Sequence, residues 1–204
     1  MIADSRVINN PFEMSRLKKS DVIDIRQKYR NISECKIVIL IAGRIHENKG
    51  VLFAIEVFNT LKRKDMQLVI AGAGSSRYVE KCKAKAANNA NIVFIGEQND
   101  MGDIYILSDY LLRCDNYFCT GRTVYEALYS GCNVIMQIDC ETDKKEVDEF
   151  DRFSEKIFFY QSRNPESLRL CMESLPQRKI ENRRYLSNVS QYIEAINGFI
   201  VDDD

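Results

Sequence analysis

"KIVILIAGRIHENKGVLFAIEVF", residues 36–58, runs an apolar segment into a helical pattern through one short charged turn. The segment 36–42 is too continuously apolar for a half-exposed strand, so it reads as a strand buried on both faces. Beyond it, residues 50–64 place Leu52, Ile55, Phe58 and Leu61 on one helical face. The turn between holds Gly43, Arg44, His46, Glu47, Lys49 and Gly50. A connector needs only a turn residue and a cap. Two fixed cations at a helix start suit a phosphate, because the free N–H groups and the dipole of that helix end already favour anions. Arg44 and Lys49 are therefore candidates to hold a diphosphate and to stabilise it as a leaving group while its charge develops. The plainer alternative is a solvated loop whose charges pair with Glu47, with His46 an ordinary surface residue.

Outward from that turn the same alternation repeats. "MQLVIAG" (66–72), "NIVFIG" (91–96), "YLLRC" (110–114) and "CNVIMQI" (132–138) read as strands, and "KIFFY" (156–160) as an edge strand. Helical patterns separate them at 77–89, around 101–109 and at 121–131. A further helix at 164–175 carries Asn164 as cap and Pro165 at its first position. Apolar strands alternating with helices predict a Rossmann-like α/β domain, a parallel sheet covered by helices on both faces with right-handed crossovers. Ligands of such sheets bind beyond the carboxyl ends of the strands, where strand order reverses. The turns at 43–50 and before 121 both belong there. The expected organisation is a linker and lead-in helix over 1–35, the α/β domain over 36–175, and a C-terminal helix and tail over 176–204.

Composition narrows the partners. The chain has 204 residues, 45% apolar and 29% charged, an ordinary balance for one large globular domain. A net charge of −1 leaves no electrostatic footprint for nucleic acid. No apolar run is long enough to span a bilayer, and "MIADSRVINN" lacks the apolar core of a signal peptide. The seven cysteines are odd in number, without a Cys-x-x-Cys pair, and there is one histidine, so reduced thiols in the cytoplasm are expected rather than a disulfide framework or a zinc site.

Two further stretches carry candidate chemistry. In "FCTGRTVYEALYSGCNVI" (118–135), Gly121 allows close backbone approach to a ligand and Thr123 can cap the helix that follows. Glu126 lies one turn in, on a mostly apolar surface, where a carboxylate can accept both hydroxyls of a ribose; the alternative is an exposed glutamate supporting its own helix. "VIAGAG" (69–74) ends a strand in small residues, for ligand contact or simply for a tight turn. Cys114 and Cys119 lie nearby, with Arg113 and Arg122 as the only groups to lower a thiol pKa.

In this order, "VINNPFE", "GRIHENKG", "LVIAGAG", "NIVFIGEQND", "YILSD", "GRTVYEALYSGCNVI" and "NPESL" resemble the C-terminal, donor-binding domain of a family 4 glycosyltransferase, a retaining enzyme of the two-Rossmann-domain (GT-B) class. The resemblance runs from about Val7 to Leu168. It implies that Arg44 and Lys49 hold the diphosphate of a nucleotide-sugar and act on it as leaving group, with Gly43 beside them. It implies that Glu126 binds the ribose, and that the backbone at Gly121, Arg122 and Thr123 faces the phosphates and donor sugar. Phe94, Ile95 and Gly96 would lie against the base. It implies no metal or other cofactor, a glycan or lipid-linked acceptor, and surface polysaccharide or lipopolysaccharide assembly, with peripheral association at the inner face of the membrane.

The chain departs from the family pattern twice. The family's first glutamate, eight positions before the ribose-binding one, is Phe118 here, followed by Cys119 and Thr120. Phenylalanine accepts no hydrogen bond from a sugar hydroxyl, so either sugar recognition is rebuilt, for instance with Asp115 or Arg122, or transfer is lost. The resemblance also implies an N-terminal acceptor domain that this chain does not carry, supplied by a partner or a missing half. A non-catalytic nucleotide-binding or regulatory remnant is the main rival. A nucleotide-sugar epimerase or dehydrogenase is disfavoured, because no Gly-x-Gly-x-x-Gly follows the first strand.

Overall fold

A computed structural model describes residues 25, 27–34, 36–141, 143, 144 and 153–176. The extended run at 5–14, most of the lead-in helix at 19–29, the middle of the charged stretch at 139–155 and the C-terminal helix at 180–200 lie outside them. The elements are β1 (Ile37–Ala42), a 3-10 turn (Glu47–Lys49), α1 (Val51–Phe58), β2 (Met66–Ala71), α2 (Ser76–Ala86) and β3 (Ile92–Gly96). They continue with α3 (Met101–Leu107), β4 (Tyr110–Leu112), α4 (Arg122–Tyr129), β5 (Asn133–Ile138), β6 (Ile157–Gln161) and α5 (Pro165–Ser174).

All six strands pair in parallel, in the order β3-β2-β1-β4-β5-β6. The order reverses between β1 and β4, so the loops leaving those two strands open a crevice at one edge of the sheet. Two apolar clusters cover the faces. One takes Val38, Leu40, Val69, Leu111, Val134 and Met136 with α3 and α4; the other takes Ile37, Ile39, Ile41, Leu68, Ile70 and Ile135 with α1, α2 and α5. Alternate residues of each strand thus face opposite clusters, which is why the strands read as unbroken apolar runs.

Three details differ from expectation. In α1 the core stripe is Val51, Ala54, Ile55 and Phe58, while Leu52 stays half-buried, and the helix ends at Phe58 with Leu61 buried beyond it. The core also reaches back before residue 36: Ile25, Tyr29 and Ile32 are buried in the first cluster. Gln67, polar in the middle of β2, explains that docking, since its amide donates to Asn31 O at 2.8 Å and accepts from Ser33 N at 2.7 Å. Both halves of the buried amide are satisfied by lead-in backbone. Finally, Gly121 rather than Thr123 caps α4, for reasons given below. No helix among the described residues is long and apolar enough to cross a membrane.

Candidate functional site

The first loop leaves β1 side by side with the loop after β2. Gly43 N donates to Ala71 O, Ile45 N to Ala73 O, and Ile45 forms a parallel bridge with Gly74. A Cβ at Gly72 would lie 1.8 Å from Gly43 O, so the small residues of "VIAGAG" serve this close approach of two loops. Backbone pairing therefore carries the sheet one step past its strands and fixes where Arg44 leaves the chain.

Beyond these ends lies a cleft of about 540 Å³. Gly43 and Arg44 line it from the first loop, Gly72 and Ser75 from the second, Glu97 and Gln98 from the third, with Met101 of α3 and Thr123 of α4. Arg44 and Arg122 are exposed and make no ion pair among the described residues. Gln98 is already fixed, accepting from Tyr29 OH at 2.7 Å and donating to Ile95 O at 2.5 Å.

Of the residues singled out in sequence, Gly43, Arg44 and Thr123 meet in this cleft. Phe94 and Ile95 do not line it: each packs against one of the two apolar clusters, and the two residues after Gly96 face the cleft instead. The signal for Glu97 and Gln98 lay in plain view, because the residues after a strand, not those within it, occupy its carboxyl end. Glu126 stands outside the lining, half-buried, with one oxygen accepting from Tyr105 OH at 2.9 Å. Burial, and then the Glu126 charge, push the Tyr105 hydroxyl well above its ordinary pKa, so it remains the donor in this pair.

Lys49 is held elsewhere. Its Nζ lies 2.6 Å from Asp115 Oδ1, and Asp115 is 4% exposed. Arg113 approaches the other carboxylate oxygen, Nη2 to Oδ2 at 2.8 Å, an ion pair by distance whose N–H is not aligned on the oxygen. Arg113 Nη1 donates to Thr123 Oγ1 at 2.7 Å. That bond takes the hydroxyl expected to cap α4, so Gly121 is the cap and Thr123 sits within the helix. The lack of a side chain at Gly121 makes room for the same guanidinium, since a Cβ there would lie 2.8 Å from Nη1. A chain Lys49–Asp115–Arg113–Thr123 thus joins the β1 loop to α4. Its sequence signal was one arginine inside the apolar strand "YLLRC".

The loop 115–120 is fixed from below by Gln137 of β5, whose amide donates to Tyr117 O at 2.8 Å. Phe118 packs against the first apolar cluster, and Tyr117 is exposed. Asp115, one of the two residues considered for a rebuilt sugar contact, is closed to that role by its burial and its two cations; Arg122 remains open. The Cys114 thiol is also inert: burial, then the Asp115 charge, push it up to about 12, and it donates to Lys49 O at 3.2 Å.

Residues 22–190 match the family model of Glycosyl transferases group 1. Among curated proteins, the chain is 28% identical over 144 residues to a lipopolysaccharide 1,2-N-acetylglucosaminetransferase of Salmonella typhimurium, covering 63% of this chain and 37% of that protein. The chain spans little more than a third of the length of the curated relatives it matches, 36% and 37%. Among solved structures, HepE of Anabaena in complex with UDP superposes with a TM-score of 0.74 at 16% identity, over 97% of this chain and 57% of that one. The C-terminal domain of a glycosyl transferase group 1 family protein from Francisella tularensis superposes with a TM-score of 0.59 at 19% identity, over 78% and 83%.

Proposed function

Because the chain belongs to the glycosyl transferases group 1 family, we propose that it binds a nucleotide-diphospho-sugar in the 540 Å³ cleft and works as the donor half of a retaining transferase. The observation that carries this reading is the meeting of Arg44, a cation of the first loop with no ion pair among the described residues, with the start of α4 at the reversal point of the sheet. Such a cleft supplies positive charge from a side chain and from a helix end together. The UDP held by the Anabaena structure makes uracil the first base to try.

In this reading the diphosphate lies between Arg44 and the backbone at Gly121, Arg122 and Thr123, with Lys49 reaching it once free of Asp115. Glu126, aimed by Tyr105, accepts from the ribose hydroxyls. Glu97 and Gln98 face the base. In transfer, the bond from the sugar's anomeric carbon to the diphosphate oxygen breaks, and its electron pair leaves on the diphosphate. The acceptor hydroxyl oxygen bonds to that carbon on the same face, and its proton passes to the departing diphosphate oxygen. Arg44 and Lys49 favour the step because they meet more negative charge after bond breaking than before it. No metal ion is assigned a part. Acceptor binding is assigned to a separate half, on another domain or partner chain, and the acceptor to a surface polysaccharide or lipopolysaccharide made at the cytoplasmic face of a membrane.

One observation favours a second reading, a nucleotide-binding remnant without transfer: Phe118 turns into the core where the family has a sugar-contacting glutamate. The two readings share the first test. Calorimetric titration with nucleoside diphosphates, free and sugar-linked, should show one nucleotide binding to the wild type and weakened about tenfold or more by Arg44→Ala and by Glu126→Ala. No binding at millimolar concentration rejects both. Slow hydrolysis of the bound sugar donor, lost in Arg44→Ala, separates the transferase half from the remnant.

A further inference from the structure

We infer that Asp115 sets the affinity of the donor site, as a fixed carboxylate that competes with the diphosphate for Lys49. The inference rests on the donor-site reading and deepens it. The Asp115 side chain is 2% exposed and is backed by Arg113, itself tied to Thr123. It cannot follow Lys49 outward. Lys49, with a side chain 38% exposed on a flexible stem, is the partner able to move.

The two cavities at the strand ends show where that lysine points. Arg44 lines both the large cleft and a void of about 20 Å³ that adjoins it; Lys49, Arg113 and Asp115 line only the void. A void of that size holds about one water and no phosphate group. In the ligand-free chain the Lys49 charge is therefore turned from the cleft toward Asp115, and Arg44 is the cation that lines the cleft among the described residues. A diphosphate that recruits Lys49 must draw it off a buried carboxylate, or meet that carboxylate's repulsion through it.

The penalty grows with the charge of the ligand. A sugar-linked diphosphate carries about two negative charges and the free nucleoside diphosphate left by transfer about three, since a terminal phosphate has a second pKa near 6. Asp115 therefore weakens the product more than the donor, and so favours product release.

The test titrates UDP, ADP and their glucose conjugates into the wild type, Arg44→Ala, Lys49→Ala, Asp115→Asn and Lys49→Ala/Asp115→Asn. Asp115→Asn should bind the free diphosphate about tenfold more tightly and the glucose conjugate with a smaller gain. Lys49→Ala alone should lower affinity less than Arg44→Ala does, and in the Asp115→Asn background it should abolish the gain. If Asp115→Asn binds more weakly or unchanged while Arg44→Ala loses affinity, the donor site stands and the inference falls. If no chain binds any of the four, or Arg44→Ala binds as the wild type does, the donor-site reading falls and takes the inference with it. Should Asp115→Asn fail to fold because Arg113 is left buried without its counter-ion, Arg113→Met is compared with Arg113→Met/Asp115→Asn. The same gain is expected there, and its absence is equally fatal.

Discussion

Replacing Gly50 by alanine tests how the first loop is held against the fourth strand, with Gly96→Ala as its control. Both glycines have positive φ, +61° and +72°, so alanine pays a comparable backbone penalty at each, about 1–2 kcal/mol. They differ in space. A Cβ at Gly96 meets nothing within 4 Å, whereas one at Gly50 would lie 1.8 Å from Cys114 O and 2.9 Å from Cys114 C. Relieving that overlap requires a backbone shift of more than an ångström in a packed region, about 1–3 kcal/mol. The shift also strains the bond from Asn116 N to Asn48 O at 2.9 Å and the Lys49–Asp115 pair, about 1 kcal/mol more. The totals are about 1–2 kcal/mol for Gly96→Ala and about 3–6 kcal/mol for Gly50→Ala. At about 2–4 °C per kcal/mol for a domain of this size, melting followed by circular dichroism should fall by about 2–8 °C and about 6–24 °C respectively. If the two variants melt together, the close approach of Gly50 to Cys114 is not there, and the stapling of the loop to the strand goes with it.

Four smaller predictions follow from single contacts. Brief maleimide treatment of the native chain, read by peptide mass mapping, should label exposed Cys140 and leave buried Cys82, Cys114 and Cys132 until unfolding; labelling of Cys114 at the rate of Cys140 contradicts its burial. Asn164→Ala removes the side chain that caps α5 by accepting from Ser167 N at 2.9 Å, and should cost about 1 kcal/mol in urea unfolding. Gln67→Leu strands the backbone of Asn31 and Ser33, so a loss of about 1–3 kcal/mol is expected; an unchanged midpoint means that the lead-in does not dock there. Tyr105→Phe should cost about 1–2 kcal/mol and weaken nucleotide binding less than Glu126→Ala does, because the carboxylate survives without its guide.

The six strands were legible because a strand buried on both faces must be apolar at every position, whatever its neighbours are. The runs at 36–42, 66–72, 91–96, 110–114, 132–138 and 156–160 all became strands. The two glycine-flanked turns were legible for a related reason, since polar residues after such strands lie at the ligand-binding edge of any parallel sheet. Arg44 stands where that rule placed it. Phe94 and Ile95, which the resemblance put against the base, belong to the strand and not to its end.

What sequence did not reveal lies in contacts between distant residues. Lys49 and Asp115 are 66 positions apart, and nothing periodic links them. Thr123 had the right type and place for a cap, yet Arg113, just past the end of β4, claims its hydroxyl. Asp115 had the right chemistry for a sugar, yet two cations and burial take it. By itself, then, the sequence determined the elements, their parallel sheet and the edge at which such sheets bind their ligands, because these follow from local periodicity and from rules common to all such sheets. Only the tertiary structure decided which charges at that edge are free. Pairing depends on which side chains converge in space, and a buried charge must take the nearest counter-ion even when its sequence position suggests another use.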